Sequence, residues 1–221
     1  MNTYFPTDYQ AFIHTSRYAK WLNTENRREN WGETVDRYVT NLVFPKIKDD
    51  ETVMAIREAI TNLDVMPSMR AMMSSGEAFD RDNVAGYNCS YLPVDDIRSF
   101  DEAMFILLCG TGVGFSVERQ YVNELPIVPM NLINLDETII VADSKEGWAW
   151  SLRTLITSLY NGVVPKWDVT RVRPAGAKLR TFGGRASGPA PLVDLFQFVV
   201  SKFKEASGEK LTSLQCHDIM C

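Results

Sequence analysis

Apolar and aromatic residues Tyr9, Phe12, Ile13, Tyr18 and Trp21 recur at roughly helical spacing, with Thr7 or Asp8 placed to cap, and predict a helix over 7–22. After the polar break Asn23-Thr24-Glu25-Asn26, the series Trp31, Val35, Tyr38, Val39, Leu42 and Val43 predicts a second helix ending near Pro45. A third fits residues 50–63. Punctuation by proline and glycine then brackets a methionine-rich run, Met66-Pro67-Ser68-Met69-Arg70-Ala71-Met72-Met73-Ser74-Ser75-Gly76. Its methionines read as flexible core filling.

A polar loop over 80–87 delivers a short strand, Tyr87-Asn88-Cys89-Ser90-Tyr91-Leu92, ended by Pro93. Ile97, Phe100, Ala103, Met104, Leu107 and Leu108 mark one face of a helix running into Gly110, and the glycine turn Gly110-Thr111-Gly112-Val113-Gly114 opens an alternating strand. The piece after Pro126 reads as an apolar loop, with Pro129 excluding a central strand. Asp143 or Ser144 caps the next helix, whose first turn carries Glu146 in a capping-box arrangement; Trp148, Leu152, Leu155, Ile156 and Leu159 form its buried face up to Asn161-Gly162. Residues 192–203 are apolar at helical spacing, and Thr212 with Gln215 makes a second capping box. The helix begun there is cut off at Cys221, which reads as an interruption of a longer polypeptide. The pattern divides the chain into a helical region, 1–65, and an α/β region, 66–221.

Composition adds constraints. The chain has 221 residues, 45% hydrophobic and 23% charged, enough for a substantial core, and its net charge of -5 argues against a general grip on nucleic acid. The sequence has neither a signal-peptide pattern nor an apolar run long enough to span a membrane, so a cytoplasmic protein is expected. Four cysteines, Cys89, Cys109, Cys216 and Cys221, are too few for a disulfide scaffold and read as buried or reactive thiols.

Candidate chemistry concentrates in the stretch 173–192, which holds four glycines, three prolines and four basic side chains. Gly183, Gly184 and Gly188 permit positive φ, while Arg180 and Arg185 offer planar donors to a phosphate or a base edge; a solvated connection is the plain alternative. The turn at 110–114 resembles a dinucleotide fingerprint only superficially, because its context is helix then strand rather than strand then helix. A backbone nest for an anion or a simple tight turn both remain open there. Cys89 taken alone reads as an inert, buried strand thiol. Cys216, His217 and Cys221 suggest zinc, yet on a helix Cys216 and Cys221 lie about 140° apart, so one metal does not take all three.

Taken together, ordered motifs make the chain resemble the adenosylcobalamin-dependent (class II) ribonucleotide reductases over residues 15–221. They are Pro67-Ser68 with Arg70 ahead of Ser75-Gly76, Asn88-Cys89, Gly112-Val113-Gly114-Phe115-Ser116-Val117, and Asp143-Ser144-Lys145-Glu146-Gly147-Trp148. Next come Val172-Arg173-Pro174 with Gly176, Phe182-Gly183-Gly184-Arg185-Ala186-Ser187-Gly188-Pro189, and Leu211-Thr212 with Asp218-Ile219. The resemblance implies a helical N-terminal region followed by the first part of a ten-stranded α/β barrel, incomplete in this chain. It implies thiyl-radical replacement of the ribose 2'-hydroxyl of a ribonucleotide, triphosphates being the expected substrates, with adenosylcobalamin as cofactor. Cys89 would be one of the redox-active thiol pair. The backbone at Thr111 and Gly112, with Ser68 and Ser90, would hold the substrate phosphates. Asp96 would contact the deoxynucleotide effector, and Gly183, Gly184, Arg185, Ala186 and Ser187 would form the specificity loop.

Further partners implied are a thioredoxin-like or other dithiol reductant and the C-terminal remainder of the reductase, which in the family carries the thiyl cysteine and the second redox cysteine. This polypeptide alone is therefore expected to be inactive. The segment 124–143 is shorter than in monomeric members, which raises a homodimer. Two alternatives stand beside this reading: a reductase served by a separate radical-generating metalloprotein, and a non-catalytic nucleotide-binding module.

Overall fold

The computed structural model describes residues 4–179 and 184–221. They fall into two compact units, Met1–Tyr87 and Asn88–Cys221.

The first unit is helical. Helix α1 (Asp8–Ile13) is capped by Thr7 in a reciprocal box with Gln10 and widens into a π turn, His14–Tyr18. The helix expected over 7–22 thus stops early, and β1 (Trp21–Leu22) pairs antiparallel with β2 (Arg27–Arg28) around the polar break. Helix α2 (Trp31–Tyr38), capped by Asn30 with Glu33, likewise continues as a π turn, Val39–Val43. With α3 (Asp50–Thr61) and α4 (Met69–Ser74) it encloses Trp31, Val35, Val39, Val43, Val53, Ile60 and Met72. Met72 is fully buried and so fills core as the sequence suggests, whereas Met66 and Met69 are exposed. Short helix α5 (Glu77–Arg81) and a 3-10 turn, Val84–Gly86, complete the unit.

Two parallel strand pairs, each joined through a helix, organise the second unit. The first is β3 (Cys89–Pro93), α6 (Ser99–Leu108) and β4 (Gly112–Ser116). After short α7 (Arg119–Val122), the second is β5 (Ile133–Ile140), α8 (Lys145–Tyr160) and β6 (Val163–Asp168). Strand, crossover helix and parallel strand is the repeating unit of α/β folds. Helices α9 (Ala190–Glu205) and α10 (Ser213–Met220) follow. The core joins Leu152, Leu155, Ile156 and Leu159 of α8 to Leu192, Phe196, Val199 and Phe203 of α9 and to Cys216 and Ile219 of α10.

Strands β5 and β6 escape the sequence pattern for a physical reason. All but one residue of β5 is exposed, so alternation is lost, and β6 contains Pro165. That proline lies between Val164, opposite Asn134, and Lys166, opposite Thr138, where the register shifts and no regular ladder bond is required of it. The α8 cap is one of the two residues expected, but the capping box does not form. Ser144, not Asp143, is the cap and accepts from the Gly147 amide at 3.0 Å, so Glu146 stands one position short of a capping box. The box at Thr212 and Gln215 forms as read.

Candidate active site

Parallel register pairs Cys89 with Gly112, Ser90 with Val113, Tyr91 with Gly114 and Leu92 with Phe115. Period-two alternation therefore puts Cys89 and Tyr91 on one face with two glycines. Leu92 and Phe115, on the other face, pack against the core. The result is an open platform: Cys89 and Tyr91 are exposed, and a side chain at Gly112 or Gly114 would meet only the carbonyl oxygens of Asn88 and Ser90, respectively. Tyr91 hydrogen-bonds Tyr121, whose phenol pKa is raised by that bond. Sequence reading missed Tyr91, although its spacing of two from Cys89 carried the signal.

The turn between α6 and β4 is fixed to the Cys89 strand. Gly110 takes φ +83° and Thr111 is buried. The Gly112 amide donates to Asn88 O at 2.9 Å, and Ser90 Oγ donates to Gly112 O at 3.1 Å. Cys89, Ser90, Thr111 and Gly112 are thus brought together. Asp96 sits just before α6, where its carboxylate accepts from the Arg98 amide at 2.8 Å. Ser68 belongs to the first unit and caps α4.

The described flanks of the stretch, 173–179 and 184–188, pair with each other as a hairpin stem rather than running as a loose connection. Gly176 N donates to Ala186 O and Ala186 N to Ala177 O, both at 2.8 Å, while Leu179 N donates to Gly184 O at 3.0 Å. Arg185 folds back on Gly176 O at 2.8 Å. Gly184 and Gly188 take φ +87° and +77°, and a Cβ on Gly188 would lie 2.9 Å from Ala175 N. Ser187 Oγ donates to Gly188 O. Gly183, with Arg180, lies outside the described residues.

Of the other thiols, Cys109 and Cys216 are buried, and burial pushes the Cys216 pKa up to about 12. Cys221 is exposed, 3.6 Å from His217 Nε2, and among the described residues no group of three His, Cys, Asp or Glu side chains converges on one point. Nor, among them, is any helix long and apolar enough to cross a membrane.

Comparison with known proteins bears on both strand pairs. Residues 131–202, from β5 into α9, match the family model described as the insertion domain of B12-dependent ribonucleotide reductase. Adenosylcobalamin-dependent ribonucleoside-triphosphate reductases of Lactobacillus gasseri and Lactobacillus helveticus are 26% and 28% identical, each alignment covering 91% of this chain. A solved B12-dependent (class II) ribonucleotide reductase superposes with a TM-score of 0.80 over 95% of the chain, at 23% identity. The chain is similar, in sequence and in fold, to the N-terminal part of the adenosylcobalamin-dependent ribonucleotide reductases. It spans 37% of the length of those two relatives and 39% of the solved chain.

Proposed function

We propose that this chain is the N-terminal part of an adenosylcobalamin-dependent reductase that converts ribonucleoside triphosphates to deoxyribonucleotides under control of deoxynucleotide effectors. The observation that carries the proposal is the exposed Cys89 thiol on a platform free of neighbouring β4 side chains, beside the Gly110–Gly112 turn, in a chain with this similarity. A sugar laid on that face reaches the thiol, and the turn at Thr111 and Gly112 beside it is assigned to the substrate phosphates, although its amides already donate within the chain, to Ile106 O and Asn88 O. Ser68 and Ser90 are assigned to the same phosphates, Asp96 to the effector, and Gly184, Arg185, Ala186 and Ser187, with Gly183, to the specificity loop.

In the overall reaction two thiols lose two electrons and two protons and become a disulfide, while the ribose exchanges its 2'-hydroxyl for hydrogen and water leaves. Cys89 is one of the two, and the second comes from the rest of the enzyme. Adenosylcobalamin, when bound, supplies the radical by homolysis of its cobalt–carbon bond. A dithiol reductant such as a thioredoxin-like protein restores the pair by exchange, a chemistry suited to the reducing cytoplasm. A homodimer completing the effector site belongs to the same reading.

The test is deoxynucleotide formation by the complete reductase with triphosphate, dithiol and adenosylcobalamin. Cys89→Ser is expected to abolish multiple turnover. Unchanged turnover would remove Cys89 from the redox pair, and full activity without cobalamin would refute the class.

A further inference from the structure

The segment Asp143-Ser144-Lys145-Glu146-Gly147-Trp148 has no role in the reading above, yet it touches both parts that the reading uses. Lys145, the first residue of α8, reaches back to the end of α6, where its Nζ lies 3.1 Å from Cys109 Sγ and 4.8 Å from the centre of the Phe105 ring. Thiol and aromatic face together locate an ammonium group in direction as well as distance. Cys109 is fully buried and immediately precedes the turn: its own amide donates to Phe105 O and Ile106 O, and Thr111 N donates to Ile106 O at 3.2 Å. The next amide, that of Gly112, is the one bonded to Asn88 O beside Cys89. From Lys145 to Cys89 there is thus a continuous path of short contacts.

Two residues before Lys145, Asp143 accepts both bonds from Arg173 Nε, at 3.0 and 2.8 Å. Arg173 opens the stretch whose hairpin carries Gly184, Arg185 and Ala186. Gly147 locks the segment between these two contacts, since a Cβ there would lie 2.6 Å from Ala142 O. Asp143 and Lys145 are therefore held in fixed relation, one gripping the hairpin and the other the turn.

We infer that Lys145 is a positioning residue for the substrate-phosphate turn, acting through Cys109, and that Asp143 with Arg173 joins this turn to the specificity hairpin. The inference rests on the proposed reading of turn and hairpin. It adds the physical connection by which a change at one is felt at the other, a connection made by a short rigid segment rather than by diffuse packing.

Three measurements test it. In this chain, Lys145→Met is expected to speed amide hydrogen exchange at Thr111 and Gly112 with the exchange of α9 unaltered; unchanged exchange at the turn would overturn the inference. In the complete reductase, Lys145→Met is expected to raise KM for the triphosphate about tenfold, the equivalent of about 1.4 kcal/mol, with a smaller change in kcat. Cys109→Ala should do the same, and the double variant should be no worse than either, because Lys145 is inferred to act on the turn through Cys109. Additive losses would overturn the path through Cys109. Asp143→Asn and Arg173→Gln should each shrink the effector-driven change in base preference, and retention of the full change would overturn the connection to the hairpin. A merely structural lysine would lower the melting temperature and leave the KM of the folded enzyme unmoved. Gly112→Val separates the two levels: if it leaves KM unaltered in folded enzyme, the reading of the turn as the phosphate site fails. If Gly112→Val raises KM and Lys145→Met does not, the inference alone fails.

Discussion

A methyl group at Gly147 would sit 2.6 Å from the Ala142 carbonyl oxygen and 2.7 Å from its Cβ, inside any tolerable contact. The glycine in Glu146-Gly147-Trp148 is thus required by close approach of the α8 N-terminus to the chain that leads into it, not by a positive φ. Gly147→Ala is expected to destabilise the second unit by about 1–3 kcal/mol, the cost of overpacking a tight site, read as a lowered midpoint in denaturant unfolding. The sequence presents this residue only as part of a motif; its reason is visible once Ala142 is placed beside it. Cys89 shows the opposite relation. As a lone strand cysteine it reads as an inert, buried thiol; the structure corrects this, because the strand register sets it opposite Gly112 and leaves it exposed.

At the scale of elements, the N-terminal helix shows where periodicity misleads. Tyr9, Phe12 and Trp21 supplied the apolar rhythm, yet all three are exposed, and the residue buried from the π turn is His14. The ring of His14 stacks on Phe5 and meets Trp31 edge-on, its Nε2 is 3.0 Å from Thr34 Oγ1, and its buried Nδ1 has no hydrogen-bond partner. Glu29 accepts from Thr34 and Arg37, and Arg37 also donates to Met72 O, tying α2 to α4. Burial depresses the His14 pKa below 6.5, and the Arg37 charge adds to this against the pull of Glu29. In the unfolded chain His14 protonates near 6.5, while in the folded unit it resists the proton. Unfolding therefore takes up a proton as pH falls, and stability present above 6.5 is lost below it. The first unit is expected to melt at a lower temperature at pH 5.5 than at pH 7.5, and His14→Gln should reduce that difference. An equal pH dependence in the variant would refute the assignment.

Across the whole molecule, each of the two units carries a core of its own, one built on Trp31, Val35 and Ile60, the other on α8, α9 and α10. A polypeptide of residues 88–221 is expected to unfold cooperatively by itself, since its 22-residue buried cluster draws on no residue before Val94. Calorimetry of that fragment checks this; a broad transition without a heat-absorption peak would contradict it. Helices α2, α3, α6, α8, α9 and α10 were legible because each has a strong apolar face and most have a capping residue in the sequence. The pair β5 and β6 was not, because exposure on both faces and a proline at a register shift remove the signals that periodicity needs.

Sequence alone determined that capped helices exist and roughly where they start, that the glycine turn follows a helix and precedes a strand, and, through ordered motifs, which enzymes the chain resembles. Those properties are local, written in propensities, caps and spacing along one segment. Only the tertiary structure decided that Cys89 shares a face with Gly112 and Gly114, that Ser144 rather than Asp143 caps α8, and that Lys145 and Asp143 reach two different segments. The first and last of these depend on pairing between residues far apart in the chain, and the cap on the exact point at which the helix starts. A one-residue slip in strand register would reverse the facing of every side chain in the pair.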